Sequence, residues 1–174
     1  MIENLTETEK SYLAGLYDGE GYIGIIRADQ SQHSPRHKSP SYRLCVQLSN
    51  TNKDMIDWVR DKIGGLQYYT RFENVRHKPC YHLHASSKNA VNLLEAIKPY
   101  IIAKQKQLEL GLELQRTVDI YRKENPRNKF FPGQPLSQAE IDKRELIYQK
   151  MRELNNGWKW NREHPYQTRL RRQV

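Results

Sequence analysis

The sequence predicts an α+β fold in which two antiparallel strand pairs alternate with helices, in the order helix, strand pair, helix, strand pair, helix, helix, with a last helix beyond a linker. Three observations carry this prediction. Apolar residues recur at helical spacing in five segments, Tyr, Ile, Val and Leu concentrate in four short segments with partial alternation, and Gly or Pro residues punctuate the boundaries. The 174 residues, 37% of them hydrophobic and 11 of them tyrosine, suit one ordinary domain with its own core plus an appendage.

The first helix starts at Thr6, because Thr6 and Glu9 have capping-box spacing and Leu5 precedes the cap as an apolar staple. It runs through residues 12–16 and stops near Gly19 and Gly21. Residues 22–27 and 42–49 read as strands joined by a long loop, 29–41, rich in Ser, Pro, His and Gln. A helix from 52 or 54 to 63 carries Met55, Ile56, Val59 and Ile63, and Gly64 with Gly65 ends it. Residues 66–72 and 81–85 form a second hairpin around 73–79. Ser86 and Ser87 can cap a helix with Val91, Leu93, Leu94 and Ile97, ending at Pro99, and a further helix spans 104 to about 122.

Composition changes after Glu124, which divides the chain into a core, 1–124, a turn-rich linker, 125–136, and a C-terminal helix with a basic aromatic tail, 137–174. Ser137 and Glu140 have capping-box spacing at the start of that helix, and Ile141, Leu146, Ile147, Met151 and Leu154 follow. The tail sets Trp158, Trp160 and Tyr166 among Lys159, Arg162, Arg169, Arg171 and Arg172, a mixture suited to phosphate contact and base stacking.

The net charge of +9, from 29 Lys and Arg against 20 Asp and Glu, points to a polyanionic partner, most commonly nucleic acid. No segment approaches the roughly 20 apolar residues of a membrane span, and the N-terminus lacks a secretory pattern. An intracellular setting is expected, either an organelle (chloroplast or mitochondrion) or a bacterial or phage-infected cytoplasm. Cys45 and Cys80 stand far apart with no second ligand at zinc spacing, so both read as small packed residues. His82 and His84 share a strand face, where DNA contact or plain surface is the better reading than zinc.

The segment Leu13-Ala14-Gly15-Leu16-Tyr17-Asp18-Gly19-Glu20-Gly21 carries the chemistry. Ser11, Gly15 and Gly19 lie four apart and strip one helix face of bulk, so a second helix can approach there, next to Tyr12 and Leu16. Asp18 and Glu20 place carboxylates at the helix C-terminus, where the macrodipole disfavours acids; two of them argue for a compensating cation. A hard dication such as Mg²⁺ (or Mn²⁺) takes such oxygen ligands together with phosphate and water. In the second strand, alternation puts Arg43, Cys45 and Gln47 on a polar face opposite Leu44, Val46 and Leu48.

This nonapeptide resembles the signature of the LAGLIDADG homing endonucleases, identical to it at six of nine positions, and the element order over about residues 5–122 is similar to that family's αββαββα core. The resemblance implies a site-specific double-strand DNA endonuclease, intron-encoded, that cleaves a long near-palindromic site by Mg²⁺-dependent phosphodiester hydrolysis. It implies Glu20 as metal ligand with the Gly19 carbonyl, and Asp18 as a second candidate that more often has a structural role. Lys104, in the run Lys104-Gln105-Lys106-Gln107, would offset phosphate charge, and Asn50 would orient water, with Gln47 and Lys53 as competitors. One copy of the signature implies a homodimer paired through Ser11, Tyr12, Gly15, Leu16 and Gly19. The hairpins would read double-stranded DNA, with candidates Arg27, Gln30, Gln32, Arg36, Lys38, Arg43, Gln47, Tyr68, Thr70, Arg71, Arg76, Lys78, His82 and His84. The alternative is a binding protein on the same fold, either an intron maturase that grips intron RNA or a catalytically inactive DNA-binding regulator.

Overall fold

In the computed structural model of the chain, residues 2–28, 39–71, 78–126 and 136–156 are described. A short 3₁₀ turn, Ile2–Asn4, precedes α1 (Glu7–Gly19), β1 (Gly21–Ala28), β2 (Ser41–Asn50), α2 (Lys53–Ile63), β3 (Gln67–Arg71), β4 (Cys80–Ser86), α3 (Ser87–Ile97), α4 (Gln105–Glu124) and α5 (Gln138–Asn155). The strands form one antiparallel sheet in the order β1-β2-β4-β3, so each hairpin contributes one central and one edge strand.

Local chemistry sets the boundaries. The capping box forms as expected, with Thr6 Oγ1 accepting from Glu9 N–H and the Glu9 carboxylate accepting from Thr6 N–H. Gly21 lets β1 start directly beneath the helix it leaves, because a Cβ there would stand 2.7 Å from Tyr17 Cα. Asn52 caps α2, and Gly64 and Gly65 end it at φ +70° and +64°, the left-handed region glycine adopts freely. Two caps differ from expectation. Ser86 occupies the N-cap of α3 without a side-chain cap bond, and Ser87 takes φ +52°. Ser137 caps Glu140 N–H, but the Glu140 carboxylate turns to the buried Arg144 instead of closing the box.

Burial follows strand parity except at Cys45 and its partner Gly24, which are buried on the opposite face. Ile23, Leu44, Val46, Leu48, Leu83 and Ala85 point to the helices and join Leu13, Ala14, Tyr17, Ile56, Val59, Leu93, Leu94, Ile97 and Leu108 in the main core. The C-terminal helix is part of this body: Ile147 and Met151 of α5 pack with Ile25, Tyr42 and Leu114 in a second apolar cluster. Most of the linker, residues 127–135, and the tail beyond 156 lie outside the described residues.

Candidate functional site

The end of α1 and the start of α4 exchange caps. The Asp18 carboxylate accepts hydrogen bonds from the backbone N–H groups of Ile102, Ala103 and Lys104, at 2.7, 3.1 and 3.0 Å, which line the turn that leads into the next helix and end at its N-cap, Lys104. In return, Lys104 Nζ donates to the carbonyls of Tyr17, at 2.9 Å, and Asp18, at 2.5 Å, where a cation suits the negative end of α1. Burial works to raise the Asp18 carboxyl, but the three backbone donors and the Lys104 charge outweigh it and hold it below its usual range. Burial lowers the Lys104 ammonium, against the attraction of Asp18 and Glu20. The cation that the acidic helix end demands is therefore present within the chain, so Asp18 is spoken for structurally.

Glu20 differs. It is exposed, and among the described residues its carboxylate makes no hydrogen bond or ion pair. Its N–H occupies the Leu16 carbonyl at 2.8 Å, and Lys104 occupies the next two, which leaves the Gly19 carbonyl without a hydrogen-bond donor among the described residues. A carboxylate and a carbonyl oxygen side by side, both uncommitted, fit a hard dication. Among the described residues no three His, Cys, Asp or Glu side chains converge to enclose one.

Beside this point lies the small-residue face of α1. Ser11, Tyr12, Gly15 and Gly19 are exposed and Leu16 half-buried. A Cβ built on Gly15 or Gly19 meets nothing within 4 Å, so space over the helix is left for another chain segment. Tyr12 is 51% exposed and packs edge-on against Trp58 of α2, while Ile102, next to the Asp18 cap, is 85% exposed. Neither exposure benefits a lone protomer.

The sheet presents its polar face away from the helices. Register places Tyr22, Ile26, Arg43, Gln47, Ser49, Gln67, Tyr69, His82 and His84 on that face. His84 Nδ1 lies 3.1 Å from Gln67 Oε1, and its Nε2 lies 3.2 Å from the buried Cys45 Sγ. Tyr69 stacks on His82, whose Nδ1 is 2.7 Å from Ser49 Oγ. Gln67, Tyr69 and Tyr22 are not among the residues named from sequence; the cross-strand register with β2 and β4 puts them on this face.

Three candidates fall elsewhere. Arg27 pairs across strands with Tyr42 on the helix side, and its Nε donates to Glu145 of α5 at 3.1 Å. Tyr68 stacks on Tyr81 beneath Arg60, and Thr70, opposite Tyr81, shares the helix side. Asn50 Oδ1 accepts from Asn52 N–H at 2.8 Å, a turn that delivers the chain into α2. Its competitor Lys53 pairs with Asp57. Lys78 is exposed just before β4. Gln30, Gln32, Arg36, Lys38 and Arg76 lie outside the described residues, as does the side chain of Arg71.

No family model and no curated protein matches the chain. Solved structures do. The homing endonuclease I-CvuI in complex with its target in the presence of Ca superposes at a TM-score of 0.67, with 15% identity, over 87% of this chain and 85% of that one. I-CeuI, a group I intron-encoded homing endonuclease complexed with DNA, gives 0.64 and 12% over 86% of this chain and 69% of that one. The LAGLIDADG homing endonuclease I-LtrWI bound to target DNA gives 0.59 and 17%, over 85% of this chain but 45% of that one. The chain thus has the LAGLIDADG homing-endonuclease fold. In length it corresponds to nearly the whole of I-CvuI and to about half of I-LtrWI.

Proposed function

We propose that the chain is one half of a homodimeric, divalent-metal-dependent, site-specific DNA endonuclease, and that Mg²⁺ is its working ion. The observation that carries this reading is the division of labour at the end of α1: Asp18 is consumed as a cap, while Glu20 and the Gly19 carbonyl stand exposed beside a helix face with nothing over its glycines.

Pairing two copies through Ser11, Tyr12, Gly15, Leu16 and Gly19 buries that face and brings the two Glu20 carboxylates together, one aimed at each DNA strand. An ion held there would activate water and stabilise the leaving oxygen of a phosphodiester. The residues of this chain then have separable tasks. Glu20 and the Gly19 carbonyl supply oxygen ligands. Lys104, fixed by two carbonyls, holds positive charge next to the developing phosphate charge without moving to do so. Gln47 lies on the DNA side of the sheet and can orient water or contact a base edge, whereas the Asn50 carboxamide oxygen is committed to its turn. The sheet lays Arg43, Gln47, Gln67, Tyr69, His82 and His84 along a groove, and each subunit reads one half of a near-palindromic site.

Both this reading and the intron-RNA maturase or inactive regulator would share the fold; retention of an uncommitted acid at position 20 is what favours the nuclease. Mixed dimers with one wild-type and one Glu20→Gln subunit test it. They should nick one strand of a cognate duplex in Mg²⁺; double-strand cleavage by the mixed dimer would show that Glu20 does not serve one strand each.

A further inference from the structure

We propose that Glu145 of α5 is a positioning residue for DNA specificity, bracing the base of the first hairpin so that its DNA-reading strands are held in register. This rests on the reading of the outer sheet face as the DNA-contacting surface. Glu145 Oε2 accepts from two neighbours in adjacent strands, Arg27 Nε at 3.1 Å and Tyr42 Oη at 2.6 Å, and its Oε1 accepts from Gln149 Nε2 at 2.6 Å. Arg27 and Tyr42 are the cross-strand pair one step before the last described pair of the hairpin, Ala28 with Ser41. Three polar groups are thereby fastened at the mouth of the loop that joins β1 to β2.

Two further contacts give the brace its reach. Leu136 N–H, just ahead of α5, donates to Ser39 Oγ at 3.0 Å, tying the start of the helix to the far side of the same loop. At the other end of α5, Asn155 Nδ2 donates to the Ile23 carbonyl at 3.0 Å on the free edge of β1. The helix therefore spans the edge strand from the hairpin mouth back toward Glu20, anchored on Ile147 and Met151. Burial acts to raise the Glu145 carboxyl, yet the hydrogen bonds from Tyr42 and Gln149 and the charge of Arg27 hold it below its usual range, so it is ionised at neutral pH. Such a network fixes strand geometry more than it adds stability, since its ion pair, Arg27 with Glu145, is partly exposed. It also gives Arg27 a task other than touching bases.

The experiment compares wild type, Glu145→Leu, Glu145→Gln, Arg27→Met and the double variant Arg27→Met/Glu145→Leu for selection from a randomised DNA library, with KM, kcat and thermal unfolding recorded for each. Glu145→Leu should relax base discrimination about tenfold at the outer half-site positions, leave the central positions intact, and raise KM while kcat at saturating DNA stays within about twofold. Glu145→Gln keeps an acceptor for both donors and should restore most of the discrimination. Arg27→Met should add little in the Glu145→Leu background, because the two act as one unit. Lowered unfolding temperature with unchanged position-by-position discrimination would overturn the proposal, as would an Arg27→Met loss of equal size in both backgrounds, which would make Arg27 a direct DNA contact. A wild-type protein that selects no sequence would overturn the DNA-reading account and this brace with it, a result distinct from selection that the variants leave unaltered.

Discussion

The two faces of the sheet differ in what fills them. Toward the helices, Ile23, Leu44, Val46, Leu48, Leu83 and Ala85 close an apolar layer in which almost nothing polar needs a partner. Away from them, Gln67, His84 and Cys45 form a polar chain across three strands, and Tyr69, 47% exposed, stacks on His82. The first face specifies the fold; the second, free of that duty, carries side chains whose bonding capacity is directed outward. The same division recurs at the end of α1, where Asp18 is bound by three backbone donors and Glu20, two residues on, by none among the described residues.

Substitutions can break each half of this contrast separately. The largest effect is expected at Glu20: Glu20→Gln in both subunits should lower cleavage by about 1000-fold or more while specific binding in gel-shift assays stays within about threefold. Gly15→Leu comes next. A Cβ at this position meets nothing within 4 Å in its own protomer, so thermal unfolding should not fall, but analytical ultracentrifugation should show monomers and cleavage should be lost. A dimer that survives Gly15→Leu would refute pairing through this face.

Asp18→Ala, by contrast, should cost about 2 kcal/mol in chemical denaturation, because three N–H groups at the start of α4 lose their acceptor. The folded-state carboxyl lies below its ordinary value, so this contribution is full above about pH 4 and is lost as pH falls below it. The stability gap between wild type and Asp18→Ala should therefore narrow in acid. Asp18→Ala should also slow cleavage by displacing Lys104, without changing which sequence is chosen. The smallest effects are expected on the sheet. Gln67→Ala should alter preference at single base positions by about 1 kcal/mol, whereas Thr70→Ala, on the helix side, should leave the sequence profile within about twofold.

Much of this contrast is legible in the sequence where neighbouring residues differ in kind. In β2, Arg43, Cys45 and Gln47 alternate cleanly with Leu44, Val46 and Leu48, and the structure reproduces that parity. In β1, Ile25 and Ile26 are alike although one is buried and the other faces outward, and in β3 Tyr68 and Tyr69 divide the same way. Parity in those strands depends on pairing partners, so sequence alone does not show that Arg27, Tyr68 and Thr70 fall on the helix side. The capping box of α1 is written in four adjacent residues and forms as read. The partner of Asp18 lies 84 to 86 residues away and that of Arg27 lies 118 away, beyond the reach of any local pattern. An acidic helix end thus signals from sequence that a cation is needed, but not that Lys104 supplies it for one acid and leaves the other free.

The central claim, that two copies of this chain form one metal-dependent nuclease, is tested most directly by incubating the wild-type protein with a library of randomised near-palindromic duplexes in Mg²⁺ and sequencing the cleaved ends. The account predicts double-strand breaks, dependent on the ion, in sites whose two halves are related by two-fold symmetry. Selective binding without cleavage in Mg²⁺ or Mn²⁺, or breaks in sites with no such symmetry, would contradict it.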